Sequence, residues 1–216
     1  MLWRRLFTAA FAAALGGGSA IALPAADTRP VIVAFGDSLT AGHGLEPGQS
    51  YPDDLQKLLD RRGLRYRVVN QGISGDTTDG GLDRVKQVLQ LKPAVVILEL
   101  GANDGLRGLP LTATRANLAQ MIDEFRHGGA KVLLAGMTLP RNYGPDYVQG
   151  FEQVFRDLAR EKKVALIPFL LEGVATDPRL MQPDALHPNA EGTRRVAATV
   201  LQYLLPLLRS DRSIKR

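Results

Sequence analysis

The sequence predicts an α/β protein: one domain over residues 27–208, built on a doubly wound parallel sheet of five strands in the order 2-1-3-4-5. Three observations lead there. Five short apolar runs rich in β-branched residues punctuate the chain, apolar on successive residues as strands covered on both faces are. Stretches with helical spacing alternate with them, which implies right-handed βαβ crossovers. At 216 residues the chain holds one full hydrophobic core and is short for two.

The first strand runs from Val31 to Phe35, and the first long helix from Tyr51 to Arg62. Tyr66 to Asn70 is the second strand and Leu82 to Leu91 the helix that leaves it. Ala94 to Leu100 is the third strand, followed by a helix from Thr112 to His127. Lys131 to Met137 and Val164 to Phe169 complete the sheet, with a helix from Tyr147 to Lys162 between them and one from Glu191 to Leu208 after them. Sites in such sheets lie at the strand carboxyl ends where the strand order reverses, so the loops after strands one and three carry most weight.

Hydrophobic residues at 45% and charged residues at 23% are ordinary globular proportions and leave disordered, collagen-like and repeat readings without support. Arg4 and Arg5, the apolar run Leu6 to Leu15 and Ala20-Ile21-Ala22 read as an export signal over residues 1–26, with cleavage after Ala22 or Ala26. A membrane anchor is the alternative, but Gly16, Gly17, Gly18 and Ser19 interrupt the run short of the ~20 residues a span needs. Arg4-Arg5-Leu6-Phe7 also hints at a twin-arginine signal. Without Arg4 and Arg5 the net charge of +5 drops by two to +3, and part of the excess lies in a basic polar tail, residues 209–216. No nucleic-acid motif or aromatic-rich basic stripe accompanies it, so nucleic acid is not an expected partner. The absence of cysteine removes disulfides, a thiol nucleophile and a zinc-thiolate site together.

Ser38 stands in Gly36-Asp37-Ser38-Leu39, at the turn after strand one, where it can serve as a nucleophile or simply cap a helix. Gly72 after strand two and Asn103 after strand three open onto the same rim. The first can bring a backbone N–H close and the second a side-chain amide, as an oxyanion hole requires; a tight turn and an Asx-turn are the plainer alternatives. Among three histidines, His127 follows a helix and His43 sits in a Gly-rich loop with no acid at a useful spacing. His187 follows Asp184 by three residues, a spacing that lets the carboxylate reach the ring Nδ1–H; a structural pair or the support of a metal ligand would look the same. No metal-ligand motif occurs, and the Gly-x-Ser-x-Gly nucleophile elbow is absent.

Taken in order, Gly36-Asp37-Ser38-Leu39, Gly72, Gly101-x-Asn103-Asp104 and Asp184-x-x-His187 resemble the four blocks of the SGNH (GDSL) hydrolase family, over residues 31–205. Ser74 to Thr77, Glu99 to Gly108 and Leu139 to Gly144 resemble its bacterial thioesterase I, lysophospholipase and arylesterase subgroup. The resemblance implies a flavodoxin-like three-layer α/β/α sandwich. It also implies an exported, periplasmic or secreted serine hydrolase of acyl esters or thioesters, lysophospholipids among them, working through an acyl-enzyme without metal or other cofactor. Ser38 would be the nucleophile, His187 its base and Asp184 the partner of the base. The Ser38 and Gly72 N–H groups and the Asn103 side chain would form the oxyanion hole.

The loops after strands three and four are expected to wall an acyl pocket with Arg107, Leu109 and Tyr143. Two other classes stay open: a carbohydrate O-deacetylase, disfavoured because only 6% of residues are aromatic and Trp3 falls in the expected signal, and a non-catalytic lipid-binding envelope protein. Acyl length, leaving group and oligomeric state are not legible in the sequence.

Overall fold

The computed structural model describes residues 27–209; the expected export signal and the tail from residue 210 lie outside that span. Within it the chain alternates strand and helix: β1 (Val31–Gly36), α1 (Ser38–Ala41), α2 (Tyr51–Arg61), β2 (Arg67–Gly72), α3 (Thr78–Leu89), β3 (Pro93–Glu99), α4 (Ala102–Leu106), α5 (Leu111–His127), β4 (Lys131–Ala135), α6 (Pro145–Lys162), β5 (Ala165–Ile167) and α7 (Ala190–Arg209). All strand pairs are parallel and the order is β2-β1-β3-β4-β5, as the alternation predicts.

The sheet is buried from both sides. β1 is buried at every residue, and β3 at all but one, because α2 packs with α7 over one face while α3, α5 and α6 pack side by side over the other. Phe35, Phe125, Phe151 and Phe155 fill the helix-to-sheet space as edge-to-face pairs, 5.6 Å between Phe35 and Phe125 and 5.2 Å between Phe151 and Phe155.

Three differences from the sequence reading have physical causes. α3 starts at Thr78 rather than Leu82, capped by the Thr77 hydroxyl. Its Gly80-Gly81 pair looks like a helix break, yet Gly81 lets the helix sit against β3, since a Cβ there would lie 2.2 Å from Leu100 Cδ1. α1 and α4, of four and five residues, are too short to show a period in sequence. β5 keeps only three ladder residues, because beyond Ala135 the two chains bond irregularly, Gly136 N–H to the Ile167 carbonyl and Leu170 N–H to that of Gly136.

Candidate active site

Each predicted catalytic side chain leaves the carboxyl edge of the sheet on a different connection. Ser38 opens α1, whose N-cap is Asp37: the Asp37 carboxylate accepts the Leu39 N–H at 3.0 Å, as acceptor side chains do at helix starts. His187 lies on a strap between Leu180 and α7. The strap is fixed by the antiparallel bridge Met181–Pro188, by a bond from Gln182 N–H to the His187 carbonyl at 2.7 Å, and by Asn189, which accepts the Glu191 and Gly192 N–H groups at the start of α7.

The strap brings His187 Nε2 to 2.9 Å from Ser38 Oγ and Nδ1 to 2.7 Å from Asp184 Oδ2. Asp184 Oδ1 also accepts the backbone N–H groups of Leu186 at 2.9 Å and His187 at 3.0 Å. Partial burial works against the Asp184 charge, but the three bonds outweigh it and hold the carboxyl down at about 2. With Nδ1–H donated to that carboxylate, the Nε2 lone pair faces the Ser38 hydroxyl, which donates to it.

Asn103 is the second residue of α4, after Gly101 in a left-handed conformation with φ 115°. Its amide donates to Asp37 Oδ2 and to the Asp76 carbonyl, both at 3.0 Å. The Asp76 loop is itself anchored by Arg84, whose Nε donates to Asp76 Oδ2 at 3.0 Å and whose guanidinium lies 4.5 Å over the Phe35 ring. Neighbouring Asp104 is buried and accepts the Thr78 N–H at 2.9 Å, tying α4 to α3.

Gly72 does not join this group. Its N–H is taken by Asn70 Oδ1 at 2.9 Å, and its Cα faces α1, where a Cβ would lie 2.2 Å from the Ala41 nitrogen. Gly75, three residues on in the same loop, lines the cavity with Ser38 and Asn103. The N–H groups of Gly75 and Ser38 have no hydrogen-bond partner among the described residues. The sequence offered two glycines in one loop, and only the loop conformation separates them.

A cavity of about 550 Å³ opens beside Ser38 and His187, walled mainly by Leu106, Met137, Leu139, Phe169, Leu171 and Met181. Arg107, Leu109 and Tyr143 are not among its lining residues. Their groups bind loop to loop instead: Arg107 donates to the Gly75 carbonyl and Tyr143 to that of Leu106, both at 2.8 Å, while the Leu109 carbonyl accepts the Tyr147 hydroxyl and its side chain stays exposed. His43 lines the cavity with its ring 4.7 Å from that of His187, a proximity that no acid spacing in sequence could reveal.

Comparison with known proteins gives a consistent picture. The model of the GDSL-like Lipase/Acylhydrolase family matches residues 34–195. Esterase TesA of Pseudomonas aeruginosa is 46% identical over 82% of this chain and 89% of its own. Thioesterase 1/protease 1/lysophospholipase L1 of Escherichia coli K12 is 38% identical over 87% and 88%. The crystal structure of the psychrotrophic esterase EstA from Pseudoalteromonas, inhibited by monoethylphosphonate, superposes with a TM-score of 0.80 at 31% identity, covering 84% of this chain and all of the other.

Proposed function

The chain belongs to the GDSL-like lipase/acylhydrolase family and is an ester hydrolase, and from that premise we propose that it cleaves acyl esters and thioesters through an acyl-enzyme on Ser38. The reading rests on one observation, the hydrogen-bonded run from Ser38 Oγ through the His187 ring to Asp184 at 2.9 and 2.7 Å. Ser38 Oγ attacks the acyl carbonyl while its proton passes to His187 Nε2, and the imidazolium is held by Asp184. The C–O or C–S bond then breaks, the leaving group takes that proton, and water, activated by the same ring, releases the acid.

The negative oxygen of the tetrahedral intermediate is received by the free N–H groups of Ser38 and Gly75 and by the Asn103 amide. Asn103 can exchange its bond to the neutral Asp76 carbonyl for a stronger one to the oxyanion, because charge-assisted bonds are roughly twice as strong. The apolar cavity suits an acyl chain, with lysophospholipids among the substrates it could accept. Export is supported by the N-terminal pattern of Arg4-Arg5, an apolar run and Ala20-Ile21-Ala22.

Ser38→Ala is the deciding variant. Loss of p-nitrophenyl ester turnover together with loss of labelling by a serine-reactive phosphonate is expected; retained turnover would end the assignment.

A further inference from the structure

Beneath the Ser38 turn lies a second group of ionisable side chains that this reaction sequence does not use. Glu99, the last residue of β3, is fully buried. Its Oε2 accepts the Asp37 N–H at 3.2 Å and the Thr40 hydroxyl at 2.7 Å, and the Thr40 oxygen also lies 3.2 Å from the Tyr51 hydroxyl. Its Oε1 has no hydrogen-bond partner among the described residues. Gly36 leaves room for the group, since a Cβ there would stand 2.2 Å from Thr40 Oγ1 and 2.3 Å from Glu99 Oε2. Gly36, Asp37 and Thr40, which bracket Ser38, are thus all fitted to one carboxyl.

Asp37 is the second carboxyl of the cluster, and its Oδ2 accepts the Asn103 amide. No lysine or arginine pairs with either carboxyl among the described residues. Two carboxyls buried side by side without a cation cannot both ionise cheaply, so one keeps a proton. Which one follows from their partners: Asp37 accepts the Leu39 N–H on one oxygen and the Asn103 amide on the other, whereas Glu99 accepts the Asp37 N–H and the Thr40 hydroxyl on Oε2 alone and faces the Asp37 carboxylate with Oε1 unpartnered. Burial drives Glu99 well above the ordinary carboxylate range, with the Asp37 charge adding to it, while Asp37 is pushed up only to about 6.

We propose that Glu99 is a positioning residue for the Ser38 reaction: as a neutral carboxylic acid it holds the turn from Asp37 to Thr40 and leaves Asp37 to carry the charge that aims the Asn103 amide. This rests on the reading of Ser38 as nucleophile and Asn103 as oxyanion donor. Glu99 touches no substrate, and its effect passes through the turn and through Asp37.

The test compares wild type with Glu99→Gln and Glu99→Leu on a p-nitrophenyl ester from about pH 6 to about pH 10, with phosphonate labelling of Ser38 and thermal unfolding of each. Glutamine offers the same accepting oxygen without a charge, so kcat should stay within about threefold of wild type across this range. Leucine should lower kcat at least about tenfold with KM nearly unchanged, because the turn loses its acceptor. If Glu99→Leu does not fold, Thr40→Val removes one arm of the same contact and should lower kcat by a smaller factor.

Equal losses in the glutamine and leucine variants would overturn the neutral-acid role. Wild-type kcat in Glu99→Leu, or in Thr40→Val where that replaces it, would overturn the positioning role. A wild-type chain with neither turnover nor labelling would overturn the Ser38 reading and this one with it. Normal wild-type turnover alongside deviant variants would overturn this one alone.

Discussion

Gln182 Nε2 donates to the His43 carbonyl at 2.7 Å and to the Pro188 carbonyl at 2.9 Å, joining the loop after α1 to the strap that carries His187. The fit is close: Gly44, at φ 73°, would place a Cβ 2.2 Å from Gln182 Oε1. Gln182→Leu leaves both carbonyls without this donor and should cost about 0.5–1.5 kcal/mol in urea unfolding. Because the strap sets the His187 ring, kcat should fall while KM changes little. An unfolding midpoint at the wild-type value would refute the clamp.

Asp184→Asn tests the orientation of the ring. An amide can present N–H to Nδ1 and so select the tautomer with Nε2–H, which cannot take the Ser38 proton. A fall in kcat of about 10²–10⁴ is expected with the fold intact by circular dichroism. Turnover near wild type would mean that Asp184 serves the strap alone, through the Leu186 and His187 N–H bonds.

Asn103→Ala should lower kcat by about 10²–10³, the usual effect of losing one oxyanion donor. The comparison to make is turnover per phosphonate-titrated Ser38; an Asn103→Ala enzyme with wild-type kcat would remove the amide from the mechanism.

Acyl selectivity should follow the cavity wall rather than the exposed loop. Phe169→Ala widens the cavity and should move the preference towards longer p-nitrophenyl acyl esters, whereas Leu109→Trp should leave the profile as it is. A shift with Leu109→Trp alone would place the acyl chain outside the cavity.

Stability should carry the mark of the buried carboxyls. A carboxyl raised in the fold contributes stability that is fully present below its unfolded value near 4 and is lost as pH rises through the folded one, at about 6 for Asp37 and well above the ordinary carboxylate range for Glu99. Glu99→Gln should therefore gain on wild type in urea unfolding as pH rises above about 5, by up to about 1.4 kcal/mol per pH unit. A difference independent of pH would show that Glu99 is not protonated in the fold.

How far the sequence could be read depended on how local each signal was. The five strands were legible because they are buried on both sides and so apolar at successive positions, which also fixed the order through the crossovers. Ser38, Asn103, Asp184 and His187 were legible as local motifs at the carboxyl edge. Gly72 is not separable from Gly75 in sequence, because two glycines three residues apart look alike until the loop is folded and Asn70 is seen to occupy the first. Arg107 and Tyr143 have the chemistry of a binding wall, but their polar ends are taken by the carbonyls of Gly75 and Leu106. Glu99 was hidden inside a strand, where a carboxylate reads as an interruption of an apolar run.

The partnership of Ser38 with His187 spans 149 residues of chain, and this gives the enzyme a history as well as a geometry. At about 5–20 residues per second of synthesis, the serine leaves the ribosome roughly 7–30 s before the histidine. A chain cut before Asp184 carries the residues of all five strands and Ser38 but lacks the proposed base, so on the reading proposed above ester turnover counts completed chains rather than chains present.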